Sequence, residues 1–194
     1  NSKAANIIYA NTFDKSPYMR TLATNSIHLE REDDWMENIA MAKTTEERVA
    51  LWTILGYLKD EERAIGEIYT LNPKSKQIDL LLTRVINKHE VNAENGLFAT
   101  DVASNKLVDE QLLKMITKIA ADNKISNPYL WHSAIGYIYT WEGKYNIANN
   151  YFNEAEKALP NAKQLASHQL RLLRLLNEIK AIKTIEGNNI EKLT

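Results

Sequence analysis

The chain of 194 residues contains no cysteine, which excludes disulfide bridges, thiolate metal centres and a cysteine nucleophile together. No apolar run approaches the roughly 20 residues needed to cross a bilayer, and no basic start followed by an apolar stretch marks a leader. Charge of one sign is lacking as well. Lysine and arginine total 24 against 25 acids, a formal net charge of -1, so no broad field draws the chain to nucleic acid or to an anionic membrane. Also missing are a Gly-rich phosphate loop, a Gly-x-Ser-x-Gly elbow and a dinucleotide fingerprint.

The four histidines, His28, His89, His132 and His168, are scattered. None stands in a His-Glu-x-x-His arrangement that would put two imidazoles on one helical face. The nearest metal-like cluster is His28, Glu30, Glu32, Asp33 and Asp34, which reads as a solvated loop and helix start with its acids at the positive end of the dipole. Acids scattered along helical segments single out no catalytic pair, because glycosidase-type chemistry needs a particular separation in space. The expectation is a chain that is not an enzyme and carries neither catalytic residues, metal nor cofactor.

What is present is helical periodicity. Ala4 to Ala10 predicts a short helix, and Ser16-Pro17 a start signal with Pro in the first turn. Trp35, Ile39 and Ala42 recur at helical spacing, and Thr44 to Glu47 forms a capping box for a helix carrying Val49, Trp52, Leu55 and Gly56. Asp60 caps the next, which Asn72-Pro73 stops. Ser75 opens a helix over 76–90 with a broad apolar stripe from Ile78 to Ile86. Between Val91 and Lys106 the pattern fails, and Asn95-Gly96, Thr100-Asp101 and Ser104-Asn105 predict an irregular loop. Periodicity returns over 107–121. Asn127-Pro128 begins another helix, and Asn161 with Gln164 has capping-box spacing before a long one that reaches about Ile182.

Residues 129–160 read as a helix, a tight Gly turn, a second helix and a Pro stop. With Pro160 as the closing proline, Ile135, Gly136, Tyr139, Gly143, Tyr145, Ala148, Phe152 and Ala155 fall on the framework of a tetratricopeptide repeat, which this segment resembles. Small Gly136, Ala148 and Ala155 let two antiparallel helices approach, while Tyr139, Tyr145 and Phe152 fill the groove. A second copy is degenerate. Leu51-Trp52 with Gly56-Tyr57 parallels Leu130-Trp131 with Gly136-Tyr137, but Lys59 stands where the family has an aromatic residue.

The resemblance implies an all-α fold, a single tetratricopeptide-like domain over 1–194 built as a short right-handed α-solenoid of antiparallel helix pairs. A compact helical bundle is the competing architecture. It also implies a non-catalytic scaffold that binds a protein or peptide, with no nucleic acid. Concave-face positions of the family fall on Leu130, Ser133, Tyr137, Thr140 and Trp141, with Tyr57 the equivalent in the degenerate unit. Ser133, Tyr137 and Trp141 are spaced by four and share one helical row. Either they line an open groove or neighbouring helices cover them. Relatives that grip a chaperone's carboxylate tail carry a Lys and Asn clamp on this face; Ser133 and Tyr137 stand there instead.

Arg171, Arg174 and Lys180 read as the polar face of an amphipathic helix, since no aromatics interleave them for base stacking. The rival function is a helical accessory domain of a carbohydrate- or peptide-acting hydrolase, which would require several acids converging in a deep cleft. The phrasing near 51–57 and 72–82 is similar to helical-repeat regions of long bacterial envelope or periplasmic proteins. Glu186 to Asn189 predicts a turn, and Ile190 and Leu193 the first turn of a further helix, so the chain is expected to be a piece of a longer array.

Overall fold

A computed structural model describes residues 2–29, 31–94, 106–122, 124–160 and 163–182. Among them every regular element is helical: α1 Ser2–Lys15, a 3₁₀ turn Pro17–Met19, α2 Arg20–Ser26, α3 Glu32–Met41, α4 Thr45–Leu58, α5 Glu61–Leu71, α6 Lys76–Glu94, α7 Glu110–Ala121, α8 Pro128–Trp141, α9 Tyr145–Lys157 and α10 Gln164–Ala181. The chain divides into two compact units, residues 1–88 with 124–126, and residues 89–123 with 127–194. No helix among the described residues is long and apolar enough to cross a membrane.

In the first unit α4 is the central element. Its residues Val49 to Gly56 are buried in unbroken succession, so this helix is covered on every side rather than along one stripe. It packs against α1, α3 and α5. Thr53, the one hydroxyl in that run, donates to the Val49 carbonyl at 2.6 Å and so leaves no orphan. The capping box read from the sequence is present: Glu47 N donates to Thr44 Oγ1 at 3.1 Å, and Thr44 N to the Glu47 carboxylate at 3.4 Å. Asp60 caps α5 through Arg63 N at 3.0 Å. Residues 124–126 belong here partly because Ser126 Oγ donates to the Lys74 carbonyl at 2.9 Å.

In the second unit α8 packs against α7, α9 and α10. Pro128 opens α8 in the first turn, where its missing N–H costs nothing. The α8–α9 turn needs Gly143, whose φ of +73° is strained for any residue with a Cβ. There Lys144 N donates to the Tyr139 carbonyl at 2.8 Å and closes the helix end. Gly136 faces the buried Phe152 ring so closely that a Cβ would lie 2.4 Å from Phe152 Cε1. Ala148, Phe152 and Ala155 are fully buried and form a cluster with Leu170 of α10.

Several boundaries differ from the sequence reading. α1 is twice as long as expected, because its buried face, Asn6 and Ala10, continues at helical spacing to the fully buried Phe13, and Lys15 then closes it with favourable charge at the C-terminus. α7 starts at Glu110, not Leu107, since Asp109 Oδ1 accepts from Leu112 N at 2.8 Å; Leu107 and Val108 are buried ahead of the helix. α6 runs on to Glu94. The turns expected at Asn95-Gly96, Thr100-Asp101 and Ser104-Asn105, the cap at Asn161 and the helix start after Asn189 lie outside the described residues.

Candidate functional site

The six predicted positions fall in different units. Tyr57 stands in the first, half-buried at the end of α4. Its ring meets Phe13 edge-on at 4.9 Å, and the Arg84 guanidinium sits 4.0 Å above it. Arg84 Nε also lies 3.3 Å from Glu61, whose carboxylate is 5% exposed and takes a second cation, Lys88, at 3.0 Å. Glu61 is thus a buried anion compensated twice, and Tyr57 lends its face to the same arginine.

Ser133, Tyr137, Thr140 and Trp141 lie together on α8 in the second unit. Ser133 is buried, its hydroxyl donating to the Tyr129 carbonyl one turn earlier at 2.8 Å. Thr140 is buried too, 3.0 Å from the Gly136 carbonyl and 2.8 Å from Asn177 Oδ1. The hydroxyls of both are therefore engaged within the chain. Tyr137 and Trp141 are half-buried. Their rings meet at 6.5 Å with an interplanar angle of 62°, an edge-to-face arrangement that suits the ring quadrupoles. The Tyr137 hydroxyl donates to the Glu90 carboxylate on α6, and Lys180 Nζ of α10 lies 4.5 Å from the Trp141 ring centroid. An acid, two aromatics and a base thus follow one another across α6, α8 and α10, with Leu130 half-buried on the first turn of α8.

Sequence reasoning missed the group that holds this row in place. Asn177, 1% exposed, donates to the Tyr145 carbonyl at 3.2 Å and to Asn149 Oδ1 at 3.0 Å while facing Thr140. One amide ties α8, α9 and α10 together. Its signal was available: Asn177 follows Leu170 and Leu173 at helical spacing, a polar side chain at a core position, and buried polar groups are hydrogen-bonded.

No family model, curated protein or solved structure matches this chain.

The other candidates separate. Among the described residues no three His, Asp or Glu side chains could hold a metal ion. Of the acidic cluster near α3, Glu32 pairs with Arg63 at 2.6 Å and Asp34 with Arg31 at 3.2 Å, while Glu30 lies outside the described residues. Of the basic residues of α10, Arg174 bonds Asn153 and Glu156 of α9 at 3.0 and 2.9 Å and Lys180 covers Trp141, leaving Arg171 exposed. An open cleft of about 630 Å³ lies where α9 meets α10, lined by Glu156, Pro160, Lys163, His168 and Arg171 among others.

His132 is half-buried on α8, stacked on Tyr151 at 6.3 Å, and Tyr151 stacks on Tyr139 at 5.6 Å. Burial lowers its pKa below the ordinary 6.5, against the opposing pull of Glu154. Nδ1 has no hydrogen-bond partner among the described residues. The unfolded chain therefore binds this proton more readily than the folded one, and His132 makes stability fall as pH drops through 6.5 and below. Thermal unfolding followed from about pH 7.5 to about pH 5.5 should show a smaller acid loss for His132→Phe than for the parent chain. Equal slopes would mean that His132 titrates alike in both states.

Proposed function

We propose that this chain is a non-catalytic, tetratricopeptide-like scaffold that binds an extended peptide segment of another protein across α8, with Tyr137 and Trp141 as the contact residues. The observation that carries this reading is the pair of half-buried aromatic rings, each held from outside its own helix by a charged group, Glu90 on one side and Lys180 on the other. Rings fixed in this way lose little freedom on binding and offer large apolar area, the character of interface anchors. Ser133 and Thr140 act beneath them as internal ties, since their hydroxyls are used within the helix and on Asn177. The α8–α9 pair, with Gly136 against Phe152 and Gly143 in the turn, supports the resemblance to the repeat family.

The test is capture from native extract by the parent chain and by a Tyr137→Ala/Trp141→Ala variant, with bound proteins identified by mass spectrometry. Partners retained by the parent chain should be lost or reduced at least tenfold, because anchors of this kind contribute about 2 kcal/mol or more each when truncated. Circular dichroism of the variant should keep the helical content. Unchanged capture by a folded variant would move the binding surface elsewhere.

A further inference from the structure

α10 buries one face and leaves a second apolar face open. Leu170 and Asn177 point into the unit, whereas Leu165 is 82% exposed, Leu172 66%, Leu175 38% and Ile179 45%. Residues 165, 168, 172, 175 and 179 alternate in steps of three and four, the spacing of a helix seam made to meet another helix. His168, also exposed, is the one polar member. Scattered surface leucines need no explanation, but four large apolar side chains in one straight row over about 21 Å of helix do.

The charges beside the row indicate what covers it. Arg171 and Glu178 are both exposed, and neither has an ion pair among the described residues. They stand seven residues apart, hence on the same flank of the row. We propose that α10 pairs with α10 of a second copy of this chain, antiparallel about a two-fold axis. In that arrangement Leu172 meets the partner's Leu175, and Ile179 meets the partner's His168. The flanking positions one heptad apart then face each other, so Arg171 meets the partner's Glu178. Two-fold symmetry repeats the contact, Glu178 meeting the partner's Arg171. The charge pair selects this direction, because a parallel pair would set Arg171 beside the partner's Leu176.

One helix pair is a small interface, and such contacts are weak. Sedimentation equilibrium of the 194-residue chain, at concentrations from about 1 µM to about 1 mM, should show the mass rising from 22.2 kDa towards twice that value. Leu172→Glu, at a position that is exposed in the folded unit, should hold the chain monomeric with unchanged helical content. Arg171→Glu alone and Glu178→Arg alone should each weaken association several-fold, and the two changes together should restore it. A monomer at every concentration overturns the proposal, as happens if another segment covers the row. So does a dimer that tolerates Leu172→Glu, which lies on another face, or one that the double charge exchange fails to restore, which is not antiparallel.

Discussion

Phe152→Ala should destabilise the second unit by about 3 to 5 kcal/mol, the cost of removing a large ring from a closed site. Phe152 has no exposed surface and packs with Ala148, Ala155 and Leu170. The same ring explains why position 136 is glycine. A Cβ there would come 2.4 and 2.6 Å from two Phe152 ring carbons, distances that no neighbour of ordinary rigidity accepts. Gly136→Ala should therefore cost about 1 to 3 kcal/mol despite alanine's higher helix propensity. Combining Gly136→Ala with Phe152→Leu should cost less than the sum of the two single changes, because the smaller side chain vacates the space the methyl needs. Chemical denaturation of the four chains checks this. Strict additivity would show that the two positions do not meet.

Asn177→Leu should have the second large effect. The substitution removes a donor from the Tyr145 carbonyl and from Asn149, and an acceptor from Thr140, all at the junction of α8, α9 and α10. Each buried polar group left without a partner costs about 1 to 3 kcal/mol. Water entering beside the exposed flank of α10 offsets part of this, so a net loss of about 2 to 4 kcal/mol is expected. Thr140→Val in the same background should add little, since the hydroxyl's long-range partner is already gone. A parent-like unfolding midpoint for Asn177→Leu would mean that the amide does not hold the three helices together.

The helices were legible wherever the signal is local. Thr44 with Glu47, Asp60 and Pro128 announce their helices within four residues, and the structure uses each at the predicted place. Gly136 and Phe152 could be paired because a turn at Gly143 fixes the register between two adjacent helices. What the sequence did not disclose is register between helices joined by longer segments. Glu90 with Tyr137, Lys180 over Trp141 and Asn177 against Thr140 each join positions 37 to 47 residues apart, and no periodicity along one helix reports which residue of another faces it. Burial of Ser133 and Thr140 was hidden for the same reason. A helical row says that side chains share a direction, and only the neighbouring helices decide whether that direction is solvent.

The central claim, that Tyr137 and Trp141 contact a partner, is tested most directly at the tryptophan indoles. The chain has four tryptophans; Trp35, Trp52 and Trp131 are buried, and Trp141 is half-buried. Four indole N–H signals should appear in a nitrogen-15 correlation spectrum, with that of Trp141 assigned by its loss in Trp141→Phe. Titration with the partner captured from native extract should move or broaden the Trp141 signal while those of Trp35 and Trp131 stay in place. A partner that binds to saturation and leaves the Trp141 signal unmoved would contradict the account.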